Sequence, residues 1–155
     1  MLAKYDVDYM IDLHHQGANS ERDGRLVSGS ILHPTTPNVD LDVLEGSKRL
    51  GAVVFDAVDS TGWGHLGKYA GGSAETISRN GIAVEYGIST LLFEMRGMSD
   101  HFNEGAILGQ KSNGYLIKQT ITTLDATVSA LSDGSIEDAD TSFWDTLAVQ
   151  NTRTE

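Results

Sequence analysis

Residues 88–97 read ISTLLFEMRG, an apolar, β-prone run carrying one carboxylate, Glu94, near its end and an arginine two positions later. The segment reads as a buried strand. A charge in such a strand is costly unless something pairs with it. Groups so placed often have shifted pKa values and often do chemistry. Taken alone, the segment favours a plainer account. Glu94 and Arg96 are two residues apart, share one face of a strand and could serve each other as structural partners.

The rest of the chain alternates strand-like and helix-like segments around this run. Tyr9–Leu13 looks like a second buried strand running into His14-His15-Gln16-Gly17. Ala18–Asn38, with Gly24, Gly29, Pro34 and Pro37, reads as a long loop, a length usually kept for function or mobility. From about Asp40 to Asp59 the apolar residues recur at helical spacing. Asp59–Gly72 is irregular and glycine-rich, and Ser73 could cap a short helix ending by Gly87, weakened or split at Asn80-Gly81. The clearest helix holds Ile117, Ile121, Leu124, Val128 and Leu131, stepping by four, three, four and three, with Ser112 or Asn113 as cap and Gly134 as stop. Beyond it lies an acidic tail, residues 135–155, read as a linker or as a strap docking Phe143, Trp144 and Leu147. Strand–helix alternation points to an α/β layered fold with a mixed, mostly parallel sheet.

A chain of 155 residues is long enough for one domain with a real core. Its formal charge of −11 argues against nucleic acid or an anionic membrane surface as partner. With no cysteine there is no disulfide and no thiolate metal site. No apolar run has transmembrane length, and the polar opening MLAKYDVDYM supplies no signal-peptide core.

In α/β folds, sites form where loops leave the carboxyl ends of strands. Both odd strands carry polar residues there: Asp12 and His14 on one, Glu94 on the other. A neutral imidazole is a common metal ligand, and a carboxylate on the same face can orient it.

The order IDLHHQG, a long loop and helix, GKYAGGS, a short helix, STLLFEMRG and a final amphipathic helix resembles the C-terminal half of the zinc carboxypeptidase family, over roughly Asp8–Leu131. The resemblance implies a three-layer α/β/α fold in which residues 1–134 form the C-terminal part of a catalytic domain. It implies that His14 is a zinc ligand, with His15 as its competitor. It makes Glu94 the general base, Tyr69 the tyrosine of a mobile substrate-closing loop and Arg96 the arginine that follows the base. The substrate would be a peptide or protein C-terminus. Ala74, near the family's pocket position, offers no acidic group and suggests an apolar or aromatic C-terminal residue.

The chain departs from the family at the metal. The HxxE motif that supplies the other two zinc ligands has no counterpart upstream of Asp8, and neither do the arginines and asparagine that hold the substrate's carboxylate and the oxyanion. His101-Phe102-Asn103-Glu104 has the spacing but stands downstream of Glu94, where it reads as coincidence. The expectation is an incomplete zinc hydrolase whose upstream half would be its partner, with weak metal binding on its own. Two rivals stand beside it. One is a zinc-dependent deacylase of N-acyl amino acids, of the succinylglutamate desuccinylase or aspartoacylase type. The other is a non-catalytic binding module of the same fold.

Overall fold

The computed structural model describes residues 5–97 and 113–152. In chain order its elements are β1 (Tyr9–Gln16), β2 (Ser20–Arg22), β3 (Arg25–Leu26), β4 (Gly29–Leu32), α1 (Leu41–Val58), β5 (Leu66–Lys68), α2 (Ser78–Tyr86), β6 (Ser89–Arg96), α3 (Asn113–Asp133), α4 (Phe143–Thr146) and β7 (Asn151–Thr152). Four strands form a mixed sheet in the order β1-β6-β4-β5. β1 runs parallel to β6 and β4 parallel to β5, while β4 and β6 are antiparallel. The fold is therefore α/β, with two of three pairings parallel. Among the described residues no helix is long and apolar enough to cross a membrane.

Alternation along β6 decides which side chains meet which layer. Leu91, Phe93 and Met95 face α1 and α3, packing with Leu50, Val54, Val58 and Leu116. Thr90 faces the other way and donates through Oγ1 to the carbonyl of Arg79 in α2 (2.6 Å). All eight residues of β6 are buried, as a strand covered on both faces must be.

Two readings of the sequence need revision. Ala18–Asn38 is no structureless loop, since it holds β2, β3 and β4. Asp23 and Gly24 both have positive φ (54° and 73°) and form the two-residue turn between β2 and β3. An Asp-Gly pair is a favoured hairpin turn of this kind, and it was the overlooked signal. The short helix begins at Ser78, five residues after Ser73, and continues through Asn80-Gly81 without a break. Asn80 explains the late start. Its side chain accepts from the Thr35 amide and donates to the carbonyls of Gly72 and Ala74, pinning the preceding turn in non-helical form.

α3 falls where the spacing predicts, and it stops at Gly134, whose φ of 79° suits a residue without Cβ. Its orientation is the surprise. An apolar stripe ordinarily faces the core, yet Ile117, Ile121, Leu124, Val128 and Leu131 are 39–65% exposed. The face seated on the body is Leu116, Gln119, Thr123, Thr127 and Ala130. Thr127 satisfies its hydroxyl on the carbonyl one turn back and Gln119 donates to the Ser28 carbonyl, whereas Thr123 Oγ1 and Gln119 Oε1 have no hydrogen-bond partner among the described residues.

The tail docks. Trp144 is 3% exposed, donates to the Lys48 carbonyl (3.0 Å) and packs edge-on against His33, while Phe143 stacks on Phe55. α1 admits the indole because Gly51 has no Cβ to meet it. Farther on, Lys68 donates to Ala148 and Gln150 donates back to Lys68, so the tail covers the free edge of β5. At the opposite edge, no described strand pairs with the outer side of β1.

Candidate functional site

Parallel pairing of β1 and β6 sets His14 beside Glu94 and Asp12 beside Leu92. Asp12 and His14 of β1 and Leu92 and Glu94 of β6 point to the α2 side, so one cavity of about 300 Å³ is lined by Asp12, His14, Tyr69, Arg79, Leu92 and Glu94, with Gly71, Gly72, Ile77 and Ser78 around them. Four residues singled out in the sequence, Asp12, His14, Tyr69 and Glu94, are thus gathered in one place from β1, the turn after β5 and β6.

Asp12 organises the imidazole. His14 Nδ1 lies 3.2 Å from Asp12 Oδ1. Ser78 Oγ donates to the other oxygen of Asp12 and holds that carboxylate in turn. The His14 side chain is 58% exposed and open toward the cavity. A carboxylate–imidazole pair of this form also orients metal-bound histidines.

Glu94 is 8% exposed, and its Oε2 is buried with no hydrogen-bond partner among the described residues. Burial pushes its carboxyl above the ordinary glutamate value, opposed by His14 and reinforced by Asp12. The charges acting on it are those of His14, Asp12, His15 and Arg79. A carboxylate held this way is a better proton acceptor than a solvated one.

His15 is odd-numbered, points to the opposite face of the sheet and is exposed, which leaves His14 as the imidazole beside Glu94. Arg96 is buried but lines a separate cavity of about 380 Å³ with Arg25, Ser28, Trp63, His65 and Tyr115. Ala74 is exposed and outside the His14–Glu94 cavity, while Glu75 is tied to Thr36 and Asn38. His101 and Glu104 lie outside the described residues.

Nothing in the residue pattern singles out Arg79. It belongs to the first turn of α2, where an arginine ordinarily reads as a solvated helix residue, and only tertiary packing turns it inward.

As a zinc centre these residues are incomplete. No group of three or more His, Asp or Glu that could hold a metal occurs among the described residues. His14 offers one nitrogen where a catalytic zinc takes three protein ligands, and Asp12 is already engaged with His14 and Ser78. Comparison of the chain with protein-family models, curated proteins and solved structures finds no match.

Proposed function

We propose that this chain is the base-bearing part of a zinc carboxypeptidase-like hydrolase acting on peptide or protein C-termini. The observation that carries the reading is the His14–Glu94 cross-strand pair, set with Asp12 and Tyr69 around one cavity. Glu94 is the proton acceptor. Its orphaned oxygen and its elevated pKa suit a group that takes a proton from water and returns it to a leaving amine. His14, whose Nδ1 lies 3.2 Å from Asp12 Oδ1, would offer an imidazole nitrogen as a metal ligand. Tyr69 stands at the cavity wall after β5, on the glycine-bearing turn Gly71-Gly72, where it can contact substrate.

A resident zinc would supply Lewis acidity, and its remaining ligands would have to come from a second polypeptide segment. Two features support such a partner. β1 leaves its outer edge unpaired among the described residues, and an exposed edge is usually covered in a finished fold. The apolar stripe of α3 is also largely exposed.

Two measurements test the reading. Isothermal titration of the isolated chain should show zinc binding weaker than micromolar, and one tight zinc per chain would overturn the half-site. In the complete enzyme, Glu94→Gln should abolish release of C-terminal residues while zinc stays bound. Turnover surviving that change would remove Glu94 as base. Running the same assay with N-acyl amino acids separates peptidase from deacylase, and activity on neither would favour a binding module.

A further inference from the structure

The C-terminal tail reaches the neighbourhood of Glu94 through one side chain. Ala148 and Gln150 bond along the edge of β5 at Lys68, and β7 continues beside β2. Gln150 turns inward from this strap over Gly67, where an added Cβ would stand only 3.2 Å from Gln150 Cβ and 3.3 Å from Ser30 Oγ. It meets two side chains from opposite sides of β6, Ser30 on β4 and Gln16 on β1. Gln16 Nε2 donates to Ser30 Oγ (3.1 Å), Ser30 Oγ donates to Gln150 Oε1, and Gln150 Nε2 donates to Gln16 Oε1 (2.8 Å). The three groups close a ring in which each donates one hydrogen bond and accepts one. Bonds in such a network polarise and strengthen one another.

Register places this ring beside Glu94. Ser30 stands opposite Glu94 and Gln16 opposite Arg96, so the Gln16–Ser30 bond crosses β6 between those two residues. The ring thus stands between Glu94 and Arg96, which line different cavities. Directly opposite residues of antiparallel strands hold their Cβ atoms about 4.5–5.5 Å apart, which brings the Ser30 hydroxyl within side-chain reach of the Glu94 carboxyl. A hydroxyl has one proton to give, and Ser30 gives it to Gln150. Glu94 Oε2 is buried with no hydrogen-bond partner among the described residues. Gln150 takes the donor that register would otherwise offer to Glu94.

We propose that Gln150 is a positioning residue that acts through Ser30: by holding the Ser30 hydroxyl it keeps a hydrogen-bond donor off the Glu94 carboxylate and leaves that group able to accept a proton. The tail is then a working part of the site rather than a linker. The proposal takes the use made of Glu94 from the hydrolase reading. The contact itself needs neither metal nor substrate, so the two can fail separately.

The test is carbon-detected NMR of the metal-free chain at pH 8, comparing it with Gln150→Met, which keeps the side chain's length and removes both of its bonds. In the variant the Ser30 hydroxyl turns to Glu94, so the Glu94 Cδ signal should shift while the Trp144 indole signal stays in place. Adding Ser30→Ala should return the Glu94 signal to its original position, because no hydroxyl is left to turn. A Glu94 signal unmoved in folded Gln150→Met, or a shift that persists in the double variant, overturns the proposal and reduces Gln150 to an anchor for the tail. If Gln150→Met does not fold, the unaltered chain decides. Its Gln150 side-chain amide protons should exchange with water about tenfold or more slowly than those of free glutamine, the factor expected of a retained hydrogen bond. Exchange at the free rate overturns the ring and the proposal with it. Turnover retained by Glu94→Gln would remove the hydrolase reading and leave all of these signals as they are.

Discussion

Replacing Glu94 with glutamine should stabilise the chain at alkaline pH and leave it nearly unchanged in acid. Glu94 is buried beside His14, and its Oε2 has no hydrogen-bond partner among the described residues. Burial raises its pKa above the unfolded value of about 4.3. Between that value and the raised native value, the folded chain holds more protons than the unfolded chain. Stability therefore falls as pH rises through this window and stays reduced above it. Each pKa unit of elevation corresponds to about 1.4 kcal/mol, and an unsatisfied buried polar group costs about 1–3 kcal/mol. The neutral amide removes the buried charge, so Glu94→Gln should gain about 1–3 kcal/mol at pH 8, a rise in Tm of roughly 2–12 °C for a domain of this size. At pH 4, where the carboxyl is protonated, the two proteins should unfold together. Urea unfolding of both from pH 4 to pH 8 measures the difference. Parallel stability curves across that range, or a variant weaker at pH 8, would refute the account of a strained, desolvated base. Such strain at a site is what a trade of stability for activity predicts.

Two further outcomes concern the fold. Gly51→Ala should destabilise by about 1–3 kcal/mol, because the new methyl meets the rigid Trp144 indole, and a tryptophan-fluorescence unfolding curve would report both the loss and the altered indole environment. On α3, Ile121→Asp should change the stability of the isolated chain by less than about 0.5 kcal/mol, since the side chain is exposed, whereas Leu116→Asp should cost about 3 kcal/mol or more by burying a charge. Comparable losses at both positions would mean that the helix seats its apolar stripe after all.

Much of the local structure was legible in the residues. β6 announces itself by an apolar, β-prone run, α1 and α3 by their spacing, and the end of α3 by Gly134. The misses have particular causes. The β2–β3 turn hides in two residues, Asp23-Gly24, whose meaning depends on strands too short to stand out alone. The start of α2 is set by Asn80 binding loop atoms up to 45 positions away in sequence, which no local cap rule can foresee. Half of the candidate site was visible as residue types at strand ends. Its other half, Arg79, was not, because burial of an arginine depends on what packs over it.

By itself, the sequence determined that a carboxylate would stand in a buried strand near a histidine-ended strand, because period and composition are local properties of the chain. It could not say which neighbour that carboxylate would meet. Register along β1 and β6 set His14 beside it while Arg96 lines a separate cavity, and the pleat decided that the neighbour is His14 rather than His15. Tertiary packing also turned Arg79 inward and the α3 stripe outward. Periodicity names a face of a helix or strand, and only the rest of the fold determines whether that face meets protein, ligand or solvent.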